Sequence, residues 1–246
     1  MFCIPGIVSQ QTLVSKEAAI LTLLSPKLFY VPRNSPARFQ NITTDTSHFL
    51  DFSSYPGIIS QSALITGFDF SWNFGTSGWN TVSLSEKYLP VLFNASQDMS
   101  FFMYIKLPDA LPTSYITFFS FRSNWGSSPS QYDFDIEIQR SPLAFFSAMN
   151  NSAGQLSVWI SNTQSSSILG KTCLVIYRRS GSQHNLFVNQ NAMLSHNFAP
   201  PPLILPTVQV IGINEGMRMQ CFGFCNYAIT DTQVTSLKEF LPSGLT

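Results

Sequence analysis

The stretch Asn185-Leu186-Phe187-Val188-Asn189-Gln190, with the residues that follow it up to Leu241, decides the fold. Aromatic and β-branched residues run directly into an Asn-containing dipeptide, which tolerates a positive φ, so the stretch predicts a strand that ends in a tight turn. After a proline-rich break, Val208-Gln209-Val210-Ile211-Gly212-Ile213 predicts a second strand. Asn214-Glu215-Gly216 then predicts the next turn.

A short helix is predicted at the end of this region. Thr230-Asp231-Thr232-Gln233 has the spacing of a capping box, in which the Thr230 hydroxyl caps the Gln233 amide and the Gln233 side chain reaches back. Apolar residues then recur at helical spacing, and Pro242-Ser243-Gly244 ends the pattern. These apolar residues are Val234, Leu237, Phe240 and Leu241.

These elements resemble the concanavalin A-like lectin/glucanase superfamily, and within it the laminin G-like jelly-roll domain. The resemblance is carried by Leu186-Phe187-Val188-Asn189, Val210-Ile211-Gly212, Phe222-Gly223-Phe224 and Tyr227-Ala228-Ile229-Thr230-Asp231. Upstream, residues 98–106 and 173–179 resemble two earlier strands of the family, so the likeness covers residues 75–241. Gln190 replaces the family's turn glycine, and the segment between Gly223 and Tyr227 is shorter than usual. The resemblance implies the fold but no single function, because this scaffold hosts lectins, hydrolases and adhesion modules.

Strand-like segments follow one another with turn signals between them. We predict strands at 99–107, 115–122, 131–139, 143–149, 155–161, 172–179, 184–189 and 207–213. Short strands that follow one another with turn signals between them are typical of a β-sandwich. The predicted fold is therefore all-β, an antiparallel two-sheet jelly-roll sandwich of the concanavalin A-like type, with an N-terminal extended arm and a short C-terminal helix.

Residues 1–60 differ from the rest and are predicted to form the arm, with the jelly-roll domain at 61–246. Ser15 is the expected cap of a helix over 16–24 that ends at Ser25-Pro26. Pro32, Pro36 and Pro56 punctuate the following stretch, and because proline removes ladder donors we expect it outside the central sheet. The arm then lies in a groove, either on its own jelly roll or on a neighbouring subunit, where it acts as an assembly tether.

Composition excludes several partners. Charged residues make up 11% of the 246 residues, and 13 basic side chains balance 13 acidic ones, so no electrostatic footprint for nucleic acid is present. A weakly charged surface tends to self-associate, which indicates an oligomer or a subunit of an assembly. No signal peptide is seen near Met1, and no apolar stretch reaches the ~18 residues of a spanning helix, so no membrane insertion is expected. We expect a virion surface or extracellular location.

The cysteines predict no disulfide scaffold. Cys221 and Cys225 have C-x3-C spacing with no second Cys/His pair nearby, which disfavours a zinc site. Small buried thiols are the favoured interpretation, and a disulfide between Cys221 and Cys225 stays open until geometry decides it. Cys3 and Cys173 have no visible partner in the sequence.

One acidic run suggests chemistry. In a strand, Asp133, Asp135 and Glu137 share one face, and this resembles the E-x-D-x-E row of β-glucanases of the same fold. Asp133 is one methylene shorter than the family's nucleophile. A strand with a polar face needs such residues in any case, so we favour a non-catalytic interpretation. The three histidines, His48, His184 and His196, do not accompany a nucleophile elbow and indicate no hydrolase triad.

Aromatic residues in polar loops are the candidates for ligand binding. Trp125 beside Asn124, and Trp79 beside Asn80, offer a flat face together with an amide hydrogen-bond partner. Many members of the resembled family bind Ca²⁺ at the rim of the sandwich, and Asp69, Asp98 and Asp109 are available, although the sequence maps no site.

These observations predict a non-enzymatic recognition or adhesion module, glycan-directed, that forms part of an assembly such as a virion or phage surface. Its expected partners are a glycan or cell-surface receptor, and neighbouring subunits reached through the arm. A β-glucanase-type glycosidase using Asp133 and Glu137 is the first alternative. A purely structural capsid or tail subunit without a ligand is the second.

Overall fold

The structure is a computed structural model that describes the following parts of the chain: residues 15–34, 37–43, 46, 49–50, 58–60, 71–73, 80–82, 98–110, 116–124, 131–140, 143–150, 156–163, 166–189, 194–197, 208–213 and 217–241. The elements in chain order are α1 (Lys16–Leu24), β1 (Leu28–Asn34), β2 (Ala37–Asn41), β3 (Phe49–Leu50), β4 (Ile58–Ser60), β5 (Ser71–Asn73), β6 (Asn80–Val82), β7 (Met99–Lys106), β8 (Ile116–Asn124), β9 (Gln131–Arg140), β10 (Leu143–Asn150), β11 (Leu156–Thr163), β12 (Thr172–Ser180), β13 (Gln183–Val188), β14 (Leu194–Asn197), β15 (Val208–Ile213), β16 (Arg218–Cys225) and α2 (Asp231–Lys238).

The strands form two sheets in which the paired strands run antiparallel. Within the described residues, the first sheet has ten strands in the order β14-β13-β12-β7-β16-β1-β2-β3, with β5 joined to β16 and β4 to β5. The second sheet has six described strands in the order β11-β10-β9-β8-β15-β6. All eight predicted strands are present, and the predicted all-β sandwich is confirmed. No helix in the described part of the chain has the length and apolar character needed to cross a membrane.

Both faces of the first sheet are buried at its centre. On its outer face, Phe102, Tyr104 and Ile176 pack with residues of α1 and α2 in one apolar cluster. On the opposite face, Phe101 and Met103 are fully buried as well. A strand that is buried on both faces has apolar residues at successive positions, rather than apolar and polar residues in alternation. This explains why β7 is largely a continuous apolar run.

The N-terminal caps of both predicted helices are confirmed, as is the end of the first helix at Ser25, whereas α2 ends at Lys238, before the predicted helical positions Phe240 and Leu241. Side chains at the helix ends join the two helices. Thr230 and Gln233 form the capping box, with Gln233 N donating to Thr230 Oγ1 at 3.2 Å and Thr230 N to Gln233 Oε1 at 2.8 Å. The Gln233 amide also donates from Nε2 to the Leu23 carbonyl at 2.9 Å. Tyr227 Oη donates to the Leu24 carbonyl at 2.6 Å. The Gln233 side chain, which belongs to the capping box of α2, therefore also binds a carbonyl at the C-terminal end of α1.

The prediction that residues 26–60 stay outside the central sheet is wrong. Strand β1 lies between β16 and β2, with Leu28–Tyr30 paired to Phe222–Phe224. Helix α1 packs on the outer face of the same sheet, where Ile20 and Leu24 are buried. The strands before residue 60 thus share a sheet with those after it. The tether role and the division at residue 60 stay predictions.

Pro32 is compatible with β1 because neither neighbouring strand requires a backbone N–H donor at this position. Ile42 N donates to Phe29 O at 2.8 Å, so Phe29 occupies a hydrogen-bonded position toward β2. Because these positions alternate along an antiparallel pair, Pro32, paired with Phe39, occupies a non-hydrogen-bonded one. The pairing with β16 covers only Leu28–Tyr30. The missing N–H is therefore not required on either side.

The open disulfide alternative is excluded by strand geometry. Cys221 and Cys225 both lie in β16, where four residues at about 3.3 Å each place them roughly 13 Å apart. A disulfide needs Cα atoms within about 7 Å. Both thiols are free and buried, as is that of Cys173, so the interpretation as small buried thiols is confirmed for these three residues. Cys3 lies outside the described residues.

The buried thiols predict a loss of stability in alkali. Burial raises the pKa of Cys173 from 9.0 to about 11 and the pKa of Cys225 to about 12. Above pH 9 the unfolded thiols release protons that the folded ones keep, so the free energy of unfolding falls as pH rises toward 11. The expected slope reaches about 1.4 kcal/mol per thiol per pH unit. Urea unfolding under reducing conditions at pH 8, 9, 10 and 10.5 measures it.

The double variant Cys173→Ala, Cys225→Ala is the matched control, and its slope above pH 9 should be shallower than that of the parent. An equal slope in both proteins would show that other groups carry the alkaline effect.

Candidate functional site

The outer face of the first sheet changes from apolar to polar near the hairpin that joins β12 and β13. Arg178, Asn185 and Ser195 stand in register across β12, β13 and β14. Ser180, Gln183 and Asn197 form a second row beside them. We call these residues the polar platform: Arg178, Ser180, Gln183, Asn185, Ser195 and Asn197.

Strand alternation places the platform on the face that the helices cover elsewhere. Leu174 and Ile176 lie in the apolar cluster with α1 and α2, and Arg178 and Ser180 continue the same face of β12. Ser180 is exposed, and Arg178 is half-buried. The exposed platform residues on the two neighbouring strands are Gln183, Ser195 and Asn197. The sheet therefore extends beyond its helical cover and presents hydrogen-bonding side chains there.

The first row is already connected by hydrogen bonds. Arg178 Nε donates to Asn185 Oδ1 at 3.0 Å, and Asn185 Nδ2 donates to Ser195 Oγ at 2.6 Å. Asn185 itself is buried, so it fixes the two flanking side chains rather than contacting solvent. Such a connected set is rigid before any ligand arrives.

The second row lies at the turn of the hairpin. Gly181, with φ of +55°, donates from its N–H to Asp98 Oδ1 at 2.7 Å, and Ser180 Oγ donates to Asp98 Oδ2 at 3.3 Å. Ser182 Oγ donates to Asn197 Oδ1 at 3.2 Å. Asp98 thus binds the turn through both carboxylate oxygens, and Ser182 within this turn binds Asn197.

Arg178 also connects the platform to the start of α2. Its Nη1 atom donates to the Ile229 carbonyl at 2.9 Å and to Asp231 Oδ1 at 2.6 Å. The Arg178 side chain is 17% exposed and that of Asp231 is 84% exposed. The platform thus offers neutral hydrogen-bond donors and acceptors and one cation, which is chemistry suited to binding a hydroxyl-rich or anionic ligand.

The opposite face of the hairpin holds a buried polar cluster. Tyr177 Oη and His184 Nδ1 are 2.7 Å apart, and both residues are buried together with Arg179. Burial raises the pKa of Tyr177 and lowers that of Arg179. His184 is therefore a core residue. His196 pairs with it in register on β14, and His48 lies outside the described residues.

The predicted acidic row lies on β9, in the second sheet. Asp135 and Glu137 follow regular pairing with β10. Opposite β8, Phe121 pairs with Phe134 while the next residue, Arg122, pairs with Tyr132. Asp133 is therefore the extra residue of a β-bulge, which interrupts the period of two that the prediction assumed. A catalytic role for the row stays a prediction.

The described strand ends next to the two predicted aromatic loops lie apart along β15. Asn124 ends β8 near Val208 of β15, because Arg122 pairs with Val208. Asn80 begins β6 and pairs with Ile213, at the other end of β15. Six residues of strand separate these ends by about 17 Å. Trp125 and Trp79 lie outside the described residues, so each loop stays a separate predicted contact.

Two of the three candidate calcium ligands, Asp98 and Asp109, are also far apart. Asp98 precedes β7 and Asp109 follows it, and eight strand residues separate the two carboxylates by roughly 26 Å. They cannot share one ion. Asp69 lies outside the described residues, and within the described part of the chain no three His, Cys, Asp or Glu side chains are grouped closely enough to hold a metal.

The platform was not among the predicted sites, although part of its signal is visible in the sequence. The outer-face positions of residues 172–180 run Leu174, Ile176, Arg178 and Ser180, so the apolar period stops two positions before the strand does. What the sequence does not show is that β14 places Ser195 and Asn197 beside them.

Comparisons of the fold identify similar solved structures. No protein-family model matches the chain, and no curated protein sequence matches it either. The botulinum neurotoxin serotype D ligand binding domain in complex with N-acetylneuraminic acid matches with a TM-score of 0.60 and 11% identity, over 89% of this chain and 52% of that one. The botulinum neurotoxin serotype G binding domain matches with 0.56 and 12%, over 87% and 50%.

A sialidase of Trypanosoma rangeli in complex with sialic acid matches with a TM-score of 0.52 and 8% identity, over 86% of this chain and 32% of that one. The chain thus spans about half the length of the neurotoxin binding domains and a third of the sialidase. At these identities the similarity concerns the fold alone. This chain is therefore an all-β sandwich of the kind found in those binding domains, and the narrower concanavalin A-like, laminin G-like assignment stays a prediction.

Proposed function

We propose that this protein is a non-enzymatic recognition module that binds a glycan on the polar platform. One observation carries the proposal: the first sheet extends past its helical cover and presents two registered rows of hydrogen-bonding side chains to solvent. A structural edge without a ligand needs no connected row of this kind, whereas a binding surface benefits from side chains held in place beforehand.

The chemistry of the platform suits sugar hydroxyl groups. A hydroxyl group both donates and accepts, and the exposed amides of Gln183 and Asn197 offer a donor and an acceptor each. Ser195 adds a hydroxyl of the same dual character, and Ser180, whose proton is donated to Asp98, adds an acceptor. The spacing of adjacent strands, about 4.8 Å, is close to the size of one sugar ring, so neighbouring side chains can address neighbouring hydroxyls.

Solved structures with the same fold support a glycan as the ligand class. One is a serotype D binding domain in complex with N-acetylneuraminic acid, and another comes from botulinum neurotoxin type C, whose cell entry is dependent upon interaction with two ganglioside molecules. Sialylated glycans are therefore the first ligands to test.

We also propose that the module works within a larger assembly, such as a virion or phage surface, or in another extracellular setting. The low charged fraction of 11% supports this proposal, since such a surface favours association with neighbours. Size-exclusion chromatography with light scattering tests this proposal. Dissociation of the protein's oligomers into monomers on dilution would argue against it.

Glycan hydrolysis is the second candidate. It is favoured by the fold match to the Trypanosoma rangeli sialidase and by the regular alternation of Asp135 and Glu137 on β9. Release of reducing sugar from a bound glycan, abolished by Glu137→Gln, would establish it.

A glycan array run with and without calcium tests the main proposal. The parent protein should bind a restricted set of glycans, and the double variant Gln183→Ala, Asn197→Ala should bind them at least about tenfold more weakly, because it loses two neutral hydrogen bonds of ~1 kcal/mol each. Thr22→Ala, on the exposed side of α1, is the control and should bind like the parent.

Two outcomes contradict the proposal. A silent array at high protein concentration would remove glycan recognition. Unchanged binding by the double variant, combined with loss of binding in Trp125→Ala or Trp79→Ala, would move the site to the corresponding loop.

A further inference from the structure

We infer that the platform binds an acidic sugar, whose carboxylate takes the place of Asp231 on the Arg178 guanidinium. This inference rests on the proposed glycan-binding function and names the chemical class of the ligand and the group that selects it. Arg178 is the one residue of the six platform residues that carries a charge, so an acidic ligand has a defined anchor.

Arg178 is oriented without help from Asp231. Its Nε bond to Asn185 Oδ1 and its Nη1 bond to the Ile229 carbonyl fix the plane of the guanidinium. These bonds and the contact with Asp231 use Nε and Nη1, so Nη2 is the terminal nitrogen that they do not use. A ligand carboxylate can then bind Nη1 and Nη2 together, in the bidentate geometry that arginine favours.

Asp231 is the resident anion and is held weakly. It touches Arg178 through one oxygen, at 2.6 Å, while its side chain is 84% exposed. Water competes for a carboxylate that is this exposed, so its contact with Arg178 contributes little to stability. A ligand carboxylate that makes two parallel bonds can therefore displace Asp231, whose side chain can turn into solvent.

The second row of the platform determines the orientation in which the sugar binds. Asp98 stands at the far row, where it accepts hydrogen bonds from Ser180 and the Gly181 amide. Its negative charge disfavours a second anion there. The acidic group of the sugar therefore faces Arg178, and its neutral hydroxyl or amide groups face Gln183 and Asn197.

The test compares two ligands that differ in one charge: the α-methyl glycoside of N-acetylneuraminic acid and the methyl ester of its carboxylate. Affinities are measured by calorimetric titration of the full chain. The parent protein should bind the acid at least about tenfold more tightly than the ester, because a charge-assisted bidentate contact is lost in the ester. Asp231→Asn should strengthen binding of the acid by about threefold or more and leave the ester within about twofold, because it removes the competing anion.

Arg178→Gln should abolish the preference for the acid, so that this variant binds acid and ester within about twofold of each other. Thr232→Ala, an exposed neighbour of Asp231, is the control and should leave both affinities unchanged. If Arg178→Gln unfolds, as thermal unfolding would reveal, the Asp231→Asn result alone decides.

Equal binding of acid and ester by the parent, or an unchanged ratio in Asp231→Asn, overturns the inference while the proposed glycan binding stands. Absence of binding to either ligand, together with a silent glycan array, overturns the proposed function and the inference with it.

Discussion

Replacement of Gly223 by alanine is expected to lower the free energy of unfolding by about 2–3 kcal/mol, because the added methyl group has no room. A Cβ atom at this position would lie 2.5 Å from Cζ of Phe102 and 2.9 Å from the backbone oxygen of Leu28. Gly223 sits at the centre of the first sheet, paired with Phe102 on one side and Phe29 on the other. Relief would require both the Phe102 ring and the β1 backbone to shift.

Urea unfolding at neutral pH measures the effect, and Gly181→Ala provides the matched control. Gly181 has φ of +55° and nothing within 4 Å of an added Cβ, so this variant carries backbone strain alone. It should cost roughly 1–2 kcal/mol. A smaller loss for Gly223→Ala than for Gly181→Ala would show that the contact of β1 with β16 is looser than described.

Deletion of residues 1–60 is expected to abolish cooperative folding rather than release an accessory arm. The deletion removes α1 and strands β1 to β4, and with them side chains that are buried in the core: Ile20, Leu24, Phe29, Val31 and Phe39. At ~1.5–3 kcal/mol for each buried side chain, the loss is about 8–15 kcal/mol, which equals the total stability of a typical domain.

Near-UV circular dichroism and urea unfolding test this prediction, with light scattering to record the oligomeric state. A shorter deletion of residues 1–14 retains every described element and should unfold cooperatively. A soluble, cooperatively folded chain lacking residues 1–60 would contradict the structural role of β1 and would favour a dispensable tether.

Much of the candidate site could not be predicted from the sequence, because it is built from side chains that adjoin only across strands. The alternation Leu174, Ile176, Arg178 marks where one face of β12 turns polar. Its significance depends on where α2 stops covering the sheet and on Ser195 lying beside Asn185. Neither follows from local pattern. Aromatic loop residues, by contrast, are conspicuous in sequence, yet the topology separates their neighbours Asn80 and Asn124 along β15.

The sequence by itself determined features that depend on residues a few positions apart. Thr230 and Gln233 form the predicted capping box. Ser15 caps α1, its Oγ accepting from Ala18 N at 3.2 Å. Asn189 adopts the predicted positive φ, with a value of 54°. Each is a contact or dihedral angle within one turn of chain, so local chemistry is sufficient to specify it.

Only the tertiary structure decided which distant segments meet. Leu28 pairs with Phe224, almost two hundred positions later, and Asp133 becomes a bulge because of the strand that faces it. Such pairings depend on which sheet edge is free and which apolar faces remain to be buried once the rest of the chain has folded. The physical reason is that hydrophobic burial is non-directional, so a short segment does not encode its partner.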